Sequence, residues 1–104
     1  MAGRLEGKVA IITGAGSGLG REAAQLFAAE GASIVVMDVL GDRAEATVQL
    51  LEDADRPAVA VVGDTTVEAD VARTVETALE RFGKLDIMWA NAGIVSRGGV
   101  PTVM

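Results

Sequence analysis

Apolar positions along the chain fall into two kinds of run that take turns. Short, nearly unbroken stretches at residues 9–13, 32–38, 58–62 and 85–90 predict strands; the first carries β-branched residues, and the second, apolar until Asp38, is expected to be covered on both faces. Between them the apolar positions recur at helical spacing. Leu19, Ala23, Leu26 and Phe27 mark one face of a helix over residues 18–30, and Gly31 ends it. Leu40, Ala44, Val48 and Leu51 mark a second over 41–54, with Asp42, Arg43, Glu45 and Glu52 elsewhere on its wheel and Pro57 barring its continuation. Val71, Val75, Ala78, Leu79 and Phe82 mark a third that stops at Gly83, and Thr65 with Glu68 three residues on resembles a capping box at its start. Residues 91–101 are turn-rich and receive no regular element.

Strand and helix alternate through four strands, so the fold class is α/β: a Rossmann-like, doubly wound parallel sheet joined by right-handed crossovers. The expected strand order is 3-2-1-4. In that order the first two helices lie on one face and the third on the other, and the reversal opens a crevice at the carboxyl ends beside the first strand. Four segments end their strands at that rim: the glycine turn after residue 13, Asp38, Asp64 and Asn91.

The turn reads Thr13-Gly14-Ala15-Gly16-Ser17-Gly18-Leu19-Gly20. It runs from a strand into a helix, where unpaired N–H groups face an anion and glycine lets a ligand approach the backbone. A flexible glycine-rich turn is the bland alternative, and convergence with three other strand ends argues against it.

Composition narrows the chemistry. The 104 residues have room for one domain and one core, and 9 Lys and Arg against 15 Asp and Glu argue against nucleic acid as a partner. No Cys and no His are present, so a thiol nucleophile, a disulfide framework and the commonest metal ligands are missing, and no metal site is expected. Apolar runs are far shorter than the ~20 residues of a membrane span. The amino terminus lacks the apolar core of a signal peptide, and a cytoplasmic protein is the expectation. Trp89, one of three aromatic residues, is read as a core or interface residue.

Thr13-Gly14-x-x-x-Gly18-x-Gly20, together with Asp38, Asp64 and Asn91-Ala92-Gly93, resembles the landmarks of the short-chain dehydrogenases/reductases, over nearly the whole chain. The simpler G-x-G-x-x-G pattern fails from Gly14, because position 19 is Leu. The resemblance implies that Gly14, Gly18 and Gly20 form a pyrophosphate turn, with Ser17 and the N–H groups of Gly18 and Leu19 nearest the phosphates. It implies that Thr13 braces the turn against the Asn91 loop and that Asp38 accepts hydrogen bonds from the adenosine ribose. Asp64, with the backbone of Thr65, would meet the adenine edge, and Asn91 with Gly93 would line the nucleoside part of the cleft. The charge of Asp38 opposes the 2′-phosphate of NADP, so NAD is the expected cofactor, although Arg43 is near in sequence. Asp38 as a plain strand end and Asp64 as a turn former or helix cap are the competing readings.

Two departures limit the resemblance. Ala90 stands where the family carries the first of two asparagines, and the chain has no Tyr, the family's general acid/base, so no catalytic residue is named. The expected whole is an NAD-dependent oxidoreductase that moves a hydride between cofactor and a small alcohol or carbonyl substrate, a homo-oligomer in its full-length form, of which this chain is an inactive amino-terminal part. A noncatalytic dinucleotide-binding module, or a fragment completed by another chain, are the alternatives.

Overall fold

The computed structural model describes residues 3–16 and 18–90. Its centre is a four-stranded parallel sheet built from β1 (Val9–Thr13), β2 (Ser33–Asp38), β3 (Ala58–Val62) and β4 (Ile87–Ala90), in the order β3-β2-β1-β4. Three helices join them: α1 (Gly18–Ala29), α2 (Gly41–Asp53) and α3 (Glu68–Phe82). Class, order and element sequence are those the apolar runs predict, with boundaries moved by one or two residues. In register, Ile11 lies opposite Val35 on one side and Met88 on the other.

The central strands β1 and β2 are apolar without alternation because each of their faces has its own cover. Ala10, Ile12, Ile34, Val36 and Ala58 pack with residues of α1 and α2, while Val9, Ile11, Val35 and Val61 pack with Ala78 of α3 on the opposite face. Fully burying a Val or Ile contributes roughly 1.5–3 kcal/mol. The completely covered Ile11, Ile12, Ile34, Val35 and Val36 therefore place most of the sheet's cohesion in β1 and β2, whereas Val62 and Met88 on the outer strands are exposed.

The helix faces correct the expectation in three places. In α1 the buried residues are Gly20, Ala23, Ala24 and Ala28, while Leu19 is 71% and Leu26 66% exposed. The reason is distance. A Cβ on Gly20 would overlap the Gly14 carbonyl oxygen, so α1 lies too close to the turn and sheet for anything larger than alanine on its inner face. Leu40 and Leu79, counted on the apolar faces of α2 and α3, are likewise exposed; Thr47 and Thr74 are buried on the inner faces of those helices.

The capping box does not form. α3 is capped at Val67 without a side-chain hydrogen bond, and Thr65 and Glu68 take no part. Asp64 holds the connection instead, accepting the Thr66 N–H at 2.8 Å and the Thr66 hydroxyl at 2.7 Å on Oδ1, while its own N–H donates to Asp70 Oδ2 at 2.9 Å. A local Asx-type turn out-competes the reciprocal box because its partners are two residues apart. At the far end of the sheet, Asp86 Oδ2 accepts the Val9 N–H at 2.9 Å and lies 3.4 Å from Lys84 Nζ, which fastens the start of β4 to β1.

Candidate functional site

The glycine turn leaves β1 at the point where the strand order reverses. Gly14 and Gly18 have φ of 63° and 58°, a left-handed backbone that side chains disfavour, and they turn the chain from β1 into α1. Between them Ala15 and Gly16 are buried and fully bonded. The Ala15 N–H donates to the Met37 carbonyl at 3.2 Å, and its carbonyl accepts the Thr47 hydroxyl at 2.9 Å. The Gly16 N–H donates to Asp38 Oδ2 at 2.9 Å, and its carbonyl accepts Arg21 Nη2 at 2.5 Å. Glycine is required at 16 by contact: a Cβ there would lie 2.7 Å from Asp38 Oδ2 and 2.6 Å from the Arg43 Cβ.

Gly18 and Leu19 are different. Both are exposed at the open end of α1, where the first four N–H groups of a helix have no carbonyl of their own turn to meet, and a Cβ built on Gly18 would meet no atom within 4 Å. The turn thus has a clamped base, Ala15-Gly16, and an exposed lip that carries the positive end of the helix dipole.

Asp38 ends β2 beside this base. Its two carboxylate oxygens are divided between Gly16 N–H and Leu40 N–H, the latter at 3.0 Å. Its carbonyl accepts the Gly63 N–H at 3.0 Å, which sets Asp64 one residue further along the same rim. The hydrogen bonds from the Thr66 N–H and hydroxyl hold the Asp64 carboxyl below the usual aspartate range, and those from the Asp64 N–H and Arg73 do the same for Asp70. Thr65 is exposed. Thr13 is fully buried, and its hydroxyl reaches the Trp89 carbonyl at 3.4 Å near the end of β4. Ser17, Asn91 and Gly93 lie outside the described residues. Trp89 stacks on Phe27 with ring centroids 5.6 Å apart.

Arg21 and Thr47 were not among the residues expected at this rim. Both left a trace: Thr47 is a polar residue three positions from Ala44 and four from Leu51 on the apolar face of α2, and Arg21 is a cation in the first turn of α1, where the helix dipole disfavours it. A separate cleft of about 400 Å³, lined in part by Glu6, Gly31, Ser33, Pro57 and Phe82, opens at the amino ends of the strands, away from the glycine turn. Among the described residues no acidic cluster could hold a metal ion, and no helix is long and apolar enough to cross a membrane.

A parallel sheet reversing at β1, with a glycine turn and an acidic strand end at the reversal, defines a Rossmann-like α/β protein. The chain belongs to the short chain dehydrogenase family, whose model matches residues 8–103. It is 42% identical over 97 residues to an uncharacterized oxidoreductase of Thermotoga maritima, covering 91% of this chain and 37% of that protein. The crystal structure of a hydroxysteroid dehydrogenase from Escherichia coli superposes with a TM-score of 0.84 at 43% identity, over 86% of this chain and 38% of the other. A short chain dehydrogenase/reductase from Burkholderia phymatum, crystallised in complex with NAD, superposes with a TM-score of 0.80 at 39% identity, over 82% of this chain and 30% of the other. The chain therefore spans between 30% and 38% of the length of these relatives.

Proposed function

We propose that this chain is the NAD-binding part of a short-chain oxidoreductase that transfers a hydride between NAD(H) and a small alcohol or carbonyl compound. The observation that carries the reading is the union of Asp38 with the glycine turn: the Asp38 carboxylate accepts the Gly16 N–H at the switch point of the sheet. The rim suits a dinucleotide. Side chains are absent where Gly18 borders open space, helix N–H groups face outward, and an acidic group stands beside the turn.

In this reading the backbone of Gly14, Gly18, Leu19 and Gly20, with Ser17, binds the diphosphate. Asp38 orients the adenosine ribose, Asp64 and Thr65 meet the adenine, Thr13 steadies the turn, and Asn91 and Gly93 line the nucleoside cleft. The bound nicotinamide supplies the hydride acceptor or donor. No residue of this chain is assigned a proton-transfer role.

The acidic Asp38 favours NAD over NADP, because a 2′-phosphate brought to the ribose would meet a like charge. The test is NADH and NADPH titration of the protein expressed from its complete reading frame, followed by fluorescence. The expectation is at least about tenfold tighter NADH binding, equivalent to about 1.4 kcal/mol, and Asp38→Ala should both weaken NADH binding and narrow the difference. Equal affinities in the parent protein would refute the NAD assignment, and no binding of either would refute the cofactor site.

A further inference from the structure

The hydrogen bonds around Ala15 and Gly16 divide the labour of the turn. All four backbone polar groups of these two residues are taken by protein partners: Met37 carbonyl, Thr47 hydroxyl, Asp38 carboxylate and Arg21 guanidinium. None of the four is left to meet a ligand. What they do is hold the turn in one shape. Two of the partners come from β2, on which the turn lies; the other two, Arg21 and Thr47, come from helices α1 and α2 and act as one unit. The Arg21 Nε donates to the Thr47 hydroxyl at 2.9 Å, and that hydroxyl in turn donates a hydrogen bond to the Ala15 carbonyl at 2.9 Å. The guanidinium fork therefore reaches Gly16 directly and Ala15 through Thr47.

We propose that Arg21 and Thr47 are positioning residues for dinucleotide binding, clamping the carbonyls of Ala15 and Gly16 so that the N–H groups that follow are aimed at the diphosphate. The inference rests on the cofactor reading above and extends it to two residues that do not belong to the glycine motif. Three observations support it. Thr47 is fully buried, so its hydroxyl has no water to turn to and its orientation is set by these two bonds. Arg21 has no carboxylate within ion-pair distance among the described residues, and its guanidinium is given over to the turn and to Thr47. Its charge lies in the first turn of α1, where it opposes the helix dipole in the free protein and adds to the attraction for a diphosphate.

The clamp acts on the phosphates and not on the adenosine, and that separates positioning from simple support of the fold. The experiment titrates NADH and, by competition, ADP and adenosine against the complete protein and its Arg21→Met, Thr47→Val and Thr47→Ser variants. Circular dichroism establishes that each is folded at the temperature used. Hydrogen bonds to charged groups are the stronger ones, and Arg21→Met should weaken NADH and ADP about five- to twentyfold while adenosine binding stays within about twofold. Thr47→Val should do the same and Thr47→Ser, which keeps the hydroxyl, should restore parental affinity. Because the two side chains form one unit, the double variant Arg21→Met with Thr47→Val should lose far less than the product of the single losses.

Unchanged NADH affinity in a folded Arg21→Met variant would overturn the proposal, as would equal weakening of ADP and adenosine, which would mark a general structural role. Arg21 is half-exposed, so its variant remains informative even if the buried Thr47→Val variant does not fold. A parent protein that binds neither NADH nor NADPH would refute the cofactor reading and this inference with it. A parent that binds while all variants bind equally well would refute this inference alone.

Discussion

Replacing Gly20 by alanine sets two opposing effects of known size against each other. In an ordinary exposed helix the change is favourable, since alanine exceeds glycine in helix propensity by ~1 kcal/mol. Here the new methyl would overlap the Gly14 carbonyl oxygen and would stand 2.7 Å from the Gly14 carbonyl carbon and 2.9 Å from the Ala15 Cα. All three obstacles are backbone, and Ala15 is tied to β2 and α2, so no side chain can swing aside. Relief requires the start of α1 to lift from the turn, which also loosens Ala23 and Ala24 from the sheet. Overpacking of this kind costs typically 1–3 kcal/mol and sometimes more; we expect a net loss of ~2 kcal/mol after the propensity gain. Urea unfolding of the complete protein measures it as a lowered midpoint at unchanged slope. Gly18→Ala is the comparison. It has open space around its Cβ and should cost only the left-handed backbone penalty, ~1–2 kcal/mol, with no displacement of α1. A Gly20→Ala midpoint equal to or above that of the parent would show that α1 does not pack tightly against the Gly14 backbone.

Two further expectations follow from packing and charge. Leu26→Lys, at an exposed site, should change stability by no more than about 0.5 kcal/mol, whereas Ala24→Leu, on the buried face of the same helix, should cost ~1–3 kcal/mol in the same unfolding assay; reversed costs would refute the assignment of the inner face. The Val9 N–H, with Lys84 beside it, holds the Asp86 carboxyl below its ordinary value of 3.8. A carboxyl depressed in the folded state adds stability above its unfolded value and loses it as pH falls through the folded one. Stability of the parent should therefore drop below about pH 4, and Asp86→Asn should flatten that drop in acid titrations followed by circular dichroism; identical acid profiles would remove Asp86 from this role.

Much of the fold was legible because its signals are local. Continuous apolar runs such as 9–13 and 58–62 read as strands, and helical spacing between them calls for crossovers, so a parallel sheet follows from the alternation of the two patterns. The same holds for the rim, since the glycines from 14 to 20 follow the end of one strand and open the next helix, and the acid at 38 ends the second strand, whatever the packing. The faces of the helices were less legible. In α1, Gly20, Ala23, Ala24 and Ala28 cover the inner face while two leucines stand outside, because the distance between helix and sheet decides which side chains fit. That distance is not written in any single helix.

The division is sharpest at the glycine turn. Its position, its glycines and its acidic neighbour Asp38 were determined by sequence, since each depends on the residues within one strand-turn-helix unit or at the end of the next strand. Who holds it in shape was decided only by the tertiary structure. Arg21 and Thr47 lie 26 residues apart on different helices, and they meet at Ala15 and Gly16 because α1 and α2 pack side by side on one face of the sheet. A polar side chain buried by such packing must find its partners there: the Thr47 hydroxyl meets the Ala15 carbonyl and Arg21, whose guanidinium also holds the Gly16 carbonyl.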